Sequence, residues 1–318
     1  MENFIQKSPL PVYYLKDDKL DIGKKISEGN YEVYKIRFNG KYYAGKFYKK
    51  YRESDIIYEL EISKKLEYTK QCVKTFGIIY TDDKIVVLME LLKSHGDVYD
   101  YIQKENLHWT RCYMDEITKQ LYPKPKTDYI YYNRDDDIYW SFNLSTIQKI
   151  KIIKSFVKAI CELHDRCIIH GDIKTNNIVL HYEYKKQIIK LIDFGMSYHS
   201  NKNDMIDLEY KSGTLGYRAP EQESYQMNEK SDIYSMGVTI IEIWNGDIWY
   251  DGDNFKECRK EVLRGLRTIE KKHRKIGKLI RKSISLTNKK RPTSKEFLFE
   301  LEEIINENDH IYKNNHLN

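Results

Sequence analysis

The sequence predicts an α+β fold, with strands gathered toward the N-terminus and helices toward the C-terminus. Three observations carry this. Asn39-Gly40 stands between alternating apolar residues, a hairpin signal because both central positions of a tight two-residue turn need positive φ. Val73 to Leu92 reads as two strands about an Asp82-Asp83 turn. Beyond Ser145, the residues Ile150, Ile153, Val157, Ile160 and Leu163 fall at helical spacing, and Ser231 to Gly237 reads as the start of a buried helix.

In chain order, residues 1–21 form an N-terminal extension with Pro9 and Pro11 and no targeting pattern. Strands begin near Ile22, and Ile26 to Lys35 leads through the Asn39-Gly40 turn into Tyr42 to Phe47. Residues 56–68 read as a helix. On it, Glu59 shares a face with Ile62, Ser63 and Leu66, whereas Glu61 shares one with Lys64, Lys65 and Tyr68. Glu59 is therefore expected to face inward, and Glu61 with Lys65 to be a surface pair contributing tenths of a kcal/mol. Gln103 to Ser145 is an insert, too long for the helix connection it occupies. It is aromatic (Trp109, Tyr113, Trp140) but irregular in period, and reads as a self-packed surface excursion ahead of a partner-docking platform. Residues 306–318 are a C-terminal tail.

With 318 residues and 41% hydrophobic content, the chain can bury one large core or two lobes. Its longest apolar runs, Ile85 to Leu92 and Gly237 to Ile243, are too short to cross a bilayer, so no membrane span and a cytoplasmic setting are expected. The five cysteines are odd in number and scattered, which argues against a disulfide framework or a zinc site. Abundant Lys, Ile, Asn and Tyr is what A+T-rich coding produces, so the 28 tyrosines carry no mechanistic weight. The net charge of +6 is concentrated between Lys256 and Lys295. That stretch reads first as a solvated helix face and second as a docking surface for an acidic partner, with nucleic acid the less favoured ligand.

The chemistry is concentrated in His170-Gly171-Asp172-Ile173-Lys174-Thr175-Asn176-Asn177 and Asp193-Phe194-Gly195. Phosphoryl transfer needs one carboxylate to receive the acceptor hydroxyl's proton and oxygen ligands for Mg²⁺, and this order supplies them. Ala219-Pro220-Glu221, Ser231 to Gly237 and Arg291-Pro292 follow at the appropriate distances. Together these motifs resemble the eukaryotic-type protein kinase family. Lys174-Thr175 and Gly213-Thr214 resemble its Ser/Thr branch.

The resemblance implies a bilobal fold, a small β-rich N-lobe (22–89), a hinge (90–92) and a larger α-helical C-lobe (93–305). It implies ATP and Mg²⁺, or Mn²⁺, as cofactors, and a protein Ser/Thr hydroxyl as acceptor. By the same resemblance Asp172 would be the catalytic base, Lys174 would stabilise the transferred phosphoryl group, and Asn177 and Asp193 would bind metal. Lys46, in an Ala-x-Lys match, would grip the phosphates with Glu59 as its partner. Ile26, Ser27, Gly29, Val33, Ala44 and Val179, with hinge residues Glu90 and Leu92, would line the ATP site. His170, Phe194, Gly195, Thr214 and Asp232 would be scaffold, and Glu221 with Arg291 a buried ion pair.

The chain departs from the family in four places. Of the phosphate-covering glycines only Gly29 is retained: Ser27 replaces the first, and the third is deleted between Tyr31 and Glu32. Gly171 stands where the family usually has an arginine that pairs with an activation-loop phosphate. Activity without strict dependence on phosphorylation is therefore expected, with Tyr210, Ser212 and Thr214 still modifiable, and Gly171→Arg is expected to raise that dependence. Ser63 replaces an apolar residue and is expected to loosen its helix. Two rivals remain open: a pseudokinase that binds or scaffolds without transfer, and a small-molecule kinase whose loop also reads His-Gly-Asp but which lacks Ala-Pro-Glu with its distant arginine.

Overall fold

The computed structural model describes residues 6–16, 19–28, 31–94, 97–99, 129–134, 137–142, 145–183, 186–200, 204–245 and 253–307. Gly29, most of the insert and residues 308–318 of the tail lie outside the described residues.

Strands β1 (Val12–Tyr14), β2 (Asp21–Glu28), β3 (Glu32–Phe38), β4 (Lys41–Lys49), β5 (Thr75–Tyr80) and β6 (Lys84–Met89) make one sheet in the order β1-β5-β6-β4-β3-β2. The β3–β4 turn has φ of 48° at Asn39 and 75° at Gly40, the geometry the Asn-Gly pair foretells. Pairing is antiparallel except at β1, which runs parallel to β5 with Val12 opposite Ile78. The N-terminal extension is thus attached as an edge strand. Ile78 N donates to Pro11 O at 2.9 Å. A Cβ at Gly77 would lie 2.7 Å from that same oxygen, so glycine permits the approach. A three-residue strand leaves no readable period, which is why the sequence does not announce it.

Helix α1 (Glu53–Lys65) begins three residues before the expected Ile56. It covers one face of the sheet, packing Ile56 and Leu60 against Tyr48, Ile78, Ile85 and Val87. Ile36, Phe47, Ile79, Val86 and Leu88 form a cluster of their own. The ion pair near the helix end is Lys64 with Glu67, 2.6 Å apart, rather than Glu61 with Lys65.

Within the insert, β7 (Tyr129–Arg134) and β8 (Asp137–Phe142) pair antiparallel, with Tyr129 opposite Phe142, so this part is a hairpin. Helix α2 (Thr146–His164) follows, started by a capping box in which Ser145 and Gln148 satisfy each other's backbone amides. Strands β9 (Ile168–Ile169), β10 (Ile178–Glu183), β11 (Lys186–Leu191) and β12 (Tyr198–His199) frame two loops, β9 pairing with β12 and β10 with β11.

The remaining helices are α3 (Pro220–Glu223), α4 (Glu229–Asn245), α5 (Phe255–Lys272), α6 (Arg274–Ser283) and α7 (Ser294–Glu307). Every residue of α4 from Ser231 to Trp244 is buried, so α4 is the axis of the helical part. Around it Phe156, Ile160, Ile240, Leu266, Leu279 and Phe297 share one core. The basic stretch runs through α5 and α6 to the start of α7. Some of its cations are neutralised locally, as in Arg281–Glu270 and Lys282–Glu300, both at 2.6 Å. Among the described residues no helix is long and apolar enough to cross a membrane.

Candidate active site

Alternation along β4 aims Lys46 and Tyr48 at the same side, toward α1. Lys46 Nζ lies 3.1 Å from Glu59 Oε1 and 2.8 Å from Asp193 Oδ1. Lys46 and Glu59 are both buried. Burial opposes the ammonium charge, but the Glu59 and Asp193 carboxylates outweigh it and hold the lysine well above its ordinary value. Glu59 is thus the helix glutamate brought to Lys46, and the pair is closed although Ser63, one turn on, is buried.

Sequence reasoning missed the aromatic casing of this pair. The Tyr48 hydroxyl donates to Glu59 Oε2, the oxygen that Lys46 Nζ also reaches at 3.3 Å. The rings of Tyr31 and Tyr48 lie 4.5 Å apart, with Lys46 Nζ at 4.6 and 5.1 Å from their centroids. Arg52 Nη2 donates to the Tyr31 hydroxyl at 3.0 Å. The available signal was the i,i+2 spacing of Lys46 and Tyr48, which puts two polar tips on one strand face.

The loop between β9 and β10 hangs from α4. Asp232, buried in that helix, accepts from the amides of His170 (2.8 Å) and Gly171 (3.0 Å) and from His164 Nε2 (3.1 Å). His170 Nε2 donates to Ile192 O at 3.2 Å, while its Nδ1 accepts from Asp172 N at 3.3 Å. That pattern fits the neutral tautomer protonated at Nε2. The His170 ring lies 5.3 Å from that of Phe194. His170 and Phe194 are therefore packing and hydrogen-bonding partners beneath the loop.

Above them three polar groups meet. Thr214 Oγ1 donates to Asp172 Oδ1 at 2.7 Å and accepts from Lys174 Nζ at 2.7 Å, and Lys174 Nζ also lies 2.9 Å from Asp172 Oδ2. Asn177 Nδ2 donates to Asp172 O at 2.8 Å and to Asp172 Oδ2 at 3.2 Å, which leaves its Oδ1 for a cation. Pairing of Ile178 with Leu191, continued by Ile192 N donating to Asn177 O at 3.0 Å, carries Asn177 close to Asp193. Asp193 adopts φ of 61°, a conformation uncommon for a residue with a side chain. Burial pushes its carboxyl up, but Lys46 outweighs burial and holds it below the usual carboxylate range. At Gly195, which follows, a Cβ would lie 3.4 Å from Asp193 Oδ1 and 3.7 Å from Glu59 Oε2. An amide oxygen beside a carboxylate is a hard donor set of the kind that holds Mg²⁺ together with phosphate oxygens.

A cleft of about 990 Å³ opens here, lined by Tyr31, Arg52, Asp172, Lys174 and Asp193. Of the residues expected to line the ATP site, Val33 and Ala44 are not in this lining; Val33 pairs across the sheet with Lys46, and Ala44 with Met89. Ile26 is half-buried and Ser27 exposed on β2, while Val179 is buried and Leu92 packs against the main core. Glu90 turns its side chain back: Oε2 accepts from Lys190 Nζ at 2.9 Å, and the Glu90 amide donates to Lys74 O at 2.8 Å. Those bonds tie the end of β6 to β11 and to the residue before β5.

Glu221 and Arg291 form a bidentate pair at 2.6 and 2.8 Å. At Gly171, however, the backbone has φ of +78°, and a Cβ there would lie 2.2 Å from Met196 O. This changes the expected outcome of Gly171→Arg. Any side chain at 171 strains the loop before it can reach a phosphate. Gly171→Ala alone is expected to cost about 1–2 kcal/mol from the left-handed backbone, with the clash in addition. Denaturant unfolding of the two proteins checks it, and equal midpoints would refute it. Ser212 is likewise buried, at 1% exposure, whereas Thr214 is half-buried and Tyr210, at 53%, is the most exposed of the three hydroxyls named above.

A family model described as a protein kinase domain matches residues 20–301. Calcium-dependent protein kinase 4 of Plasmodium falciparum (isolate 3D7) is 26% identical over 308 residues, covering 89% of this chain and 55% of that protein. The protein of the same description from Plasmodium berghei (strain Anka) is 25% identical over 308 residues, with the same coverage. Serine/threonine-protein kinase STY46 of Arabidopsis thaliana is 25% identical over 298 residues, covering 91% of this chain and 44% of that protein. The chain spans about half the length of the curated relatives it matches.

Proposed function

Because the chain belongs to the protein kinase domain family, we propose that it transfers the γ-phosphoryl group of Mg-ATP to serine or threonine hydroxyls of proteins. The observation that supports this most is the joining of Lys46 to both Glu59 and Asp193, with Thr214 bonded to Asp172 and Lys174 on the same cleft. Lys46, steered by Glu59, grips the ATP phosphates. Asn177 and Asp193 hold Mg²⁺, which when bound neutralises phosphate charge. Asp172 orients the acceptor hydroxyl and receives its proton, and Lys174 stabilises charge on the transferred group. The Thr214 hydroxyl, fixed between Asp172 and Lys174, narrows the acceptor site and suits a short side chain. Catalysis on this reading is positioning and electrostatics, without a covalent enzyme intermediate.

The test is transfer from labelled ATP with Mg²⁺ or Mn²⁺ to the protein itself and to basic and acidic protein substrates, wild type beside Asp172→Ala, with phospho-amino-acid analysis. Label on Ser or Thr that disappears in the variant is expected. ATP binding without transfer by wild type would favour a binding module instead, a reading to which the Tyr31 ring over Lys46 lends its one structural argument.

A further inference from the structure

The Gly171 carbonyl, one residue before Asp172, is a junction between the catalytic loop and the segment 193–221. Gln222, in the short helix α3 and 1% exposed, donates through Nε2 to Gly171 O at 3.2 Å and to Ser212 O at 3.3 Å. Its Oε1 accepts from Ala219 N at 2.8 Å. Both ends of the amide are therefore used. Ser212 Oγ donates to the same Gly171 oxygen at 3.4 Å. A Cβ at Gly213, where φ is +84°, would lie 2.8 Å from that oxygen, so only glycine allows the segment to come this close. The missing side chain at Gly171 gives the Met196 flank the same freedom.

Two residues beyond Ser212, Thr214 bonds Asp172. The Gln222 junction therefore sets the separation between Thr214 and the catalytic carboxylate. Nearby cations are engaged elsewhere. Arg218 bonds Gly213 O at 2.7 Å and pairs with Glu223, and Lys211 pairs with Glu223 at 2.8 Å. At the Gly171 carbonyl the segment is thus held by neutral hydrogen bonds, from Gln222 and Ser212.

We propose that Gln222 is a positioning residue which locks the 193–221 segment onto the Gly171 carbonyl, so that the transfer-competent arrangement forms without phosphorylation of that segment. This rests on the kinase reading above. The experiment compares wild type, Gln222→Met, which keeps the shape but loses the donors, and Ser212→Ala, a milder second variant. Each full-length protein is measured before and after phosphatase treatment. Gln222→Met is expected to lower kcat about tenfold or more at unchanged KM for ATP, since small displacements at the reacting groups carry costs of that order. Ser212→Ala is expected to fall between it and wild type, and phosphatase-treated wild type to keep its full rate. Amide hydrogen exchange across 204–218 is expected to quicken in Gln222→Met. Wild-type kcat and exchange in that variant, or loss of wild-type activity on phosphatase treatment, would overturn the proposal. Should Gln222→Met fail to fold, Ser212→Ala decides by the same readouts. If wild type transfers nothing, the kinase reading fails, while the exchange comparison still tests the lock.

Discussion

Asp193→Asn is expected to reduce Mg²⁺-dependent phosphate transfer by about 10³-fold or more, the scale on which removal of one preorganised electrostatic group acts at a reacting centre. The carboxylate carries two duties. It faces Lys46 at 2.8 Å, and with Asn177 it offers the oxygen donors that suit Mg²⁺. An amide keeps the shape and one oxygen but removes the charge that would bind the cation. Because Glu59 remains 3.1 Å from Lys46, the buried lysine keeps a counter-charge, and the nucleotide-free protein should melt close to wild type. The check pairs a turnover assay with thermal shift in ATP with and without Mg²⁺. Loss of turnover and of the Mg²⁺-dependent shift at an unchanged baseline melting point is the expected result. Full turnover would sink the metal-binding role.

Arg291→Ala is expected to destabilise the protein by about 3–5 kcal/mol, the range for breaking a buried ion pair from one side. The Arg291 side chain is fully buried. Besides its fork on Glu221 it donates through Nε to Ser285 O and through Nη1 to Lys230 O, each at 2.8 Å, and its guanidinium lies 5.1 Å from the Tyr234 ring. Its loss strands Glu221, whose other partners, Ser231 Oγ at 2.7 Å and Asn288 Nδ2 at 2.9 Å, are neutral. Arg291→Lys should recover only part of the loss, because an ammonium lacks the planar fork. Urea unfolding measures both, and a loss under about 1 kcal/mol for Arg291→Ala would place this pair with ordinary surface pairs.

The same pair sets an acid response. Burial raises the Glu221 carboxyl's pKa, but its bonds to Arg291 outweigh that and hold it below the usual carboxylate range. A depressed folded-state pKa gives stability that is fully present above the unfolded value, about 4.3 for glutamate, and is lost as pH falls through the folded one. Between pH 7 and 5 the pair should contribute no pH dependence. Below about 4 the stability of wild type should fall more steeply than that of Glu221→Gln.

Much of the candidate site was legible because its residues are adjacent in sequence. His170 to Asn177 and Asp193 to Gly195 each lie on one loop, and the chemistry they could do follows from residue type and order. Glu59 was separable from Glu61 because helical period is a local property. The Asn39-Gly40 turn was readable for the same reason, since its positive φ angles belong to the two residues themselves.

The sequence by itself determined the α+β order, the loops that carry the candidate chemistry and the inward face of α1. The tertiary structure alone decided what each of those residues touches. Tyr48 on Glu59, Gln222 at the Gly171 carbonyl and β1 on β5 join residues that are 11, 51 and dozens of positions apart. The meaning of Gly171 also changed. Read along the chain it is a missing arginine; in space it is a left-handed residue with Met196 O where a side chain would begin. Periodicity and motif report what neighbours in the chain impose on one another, whereas close packing and hydrogen-bond partnership depend on segments that meet only once the core has closed.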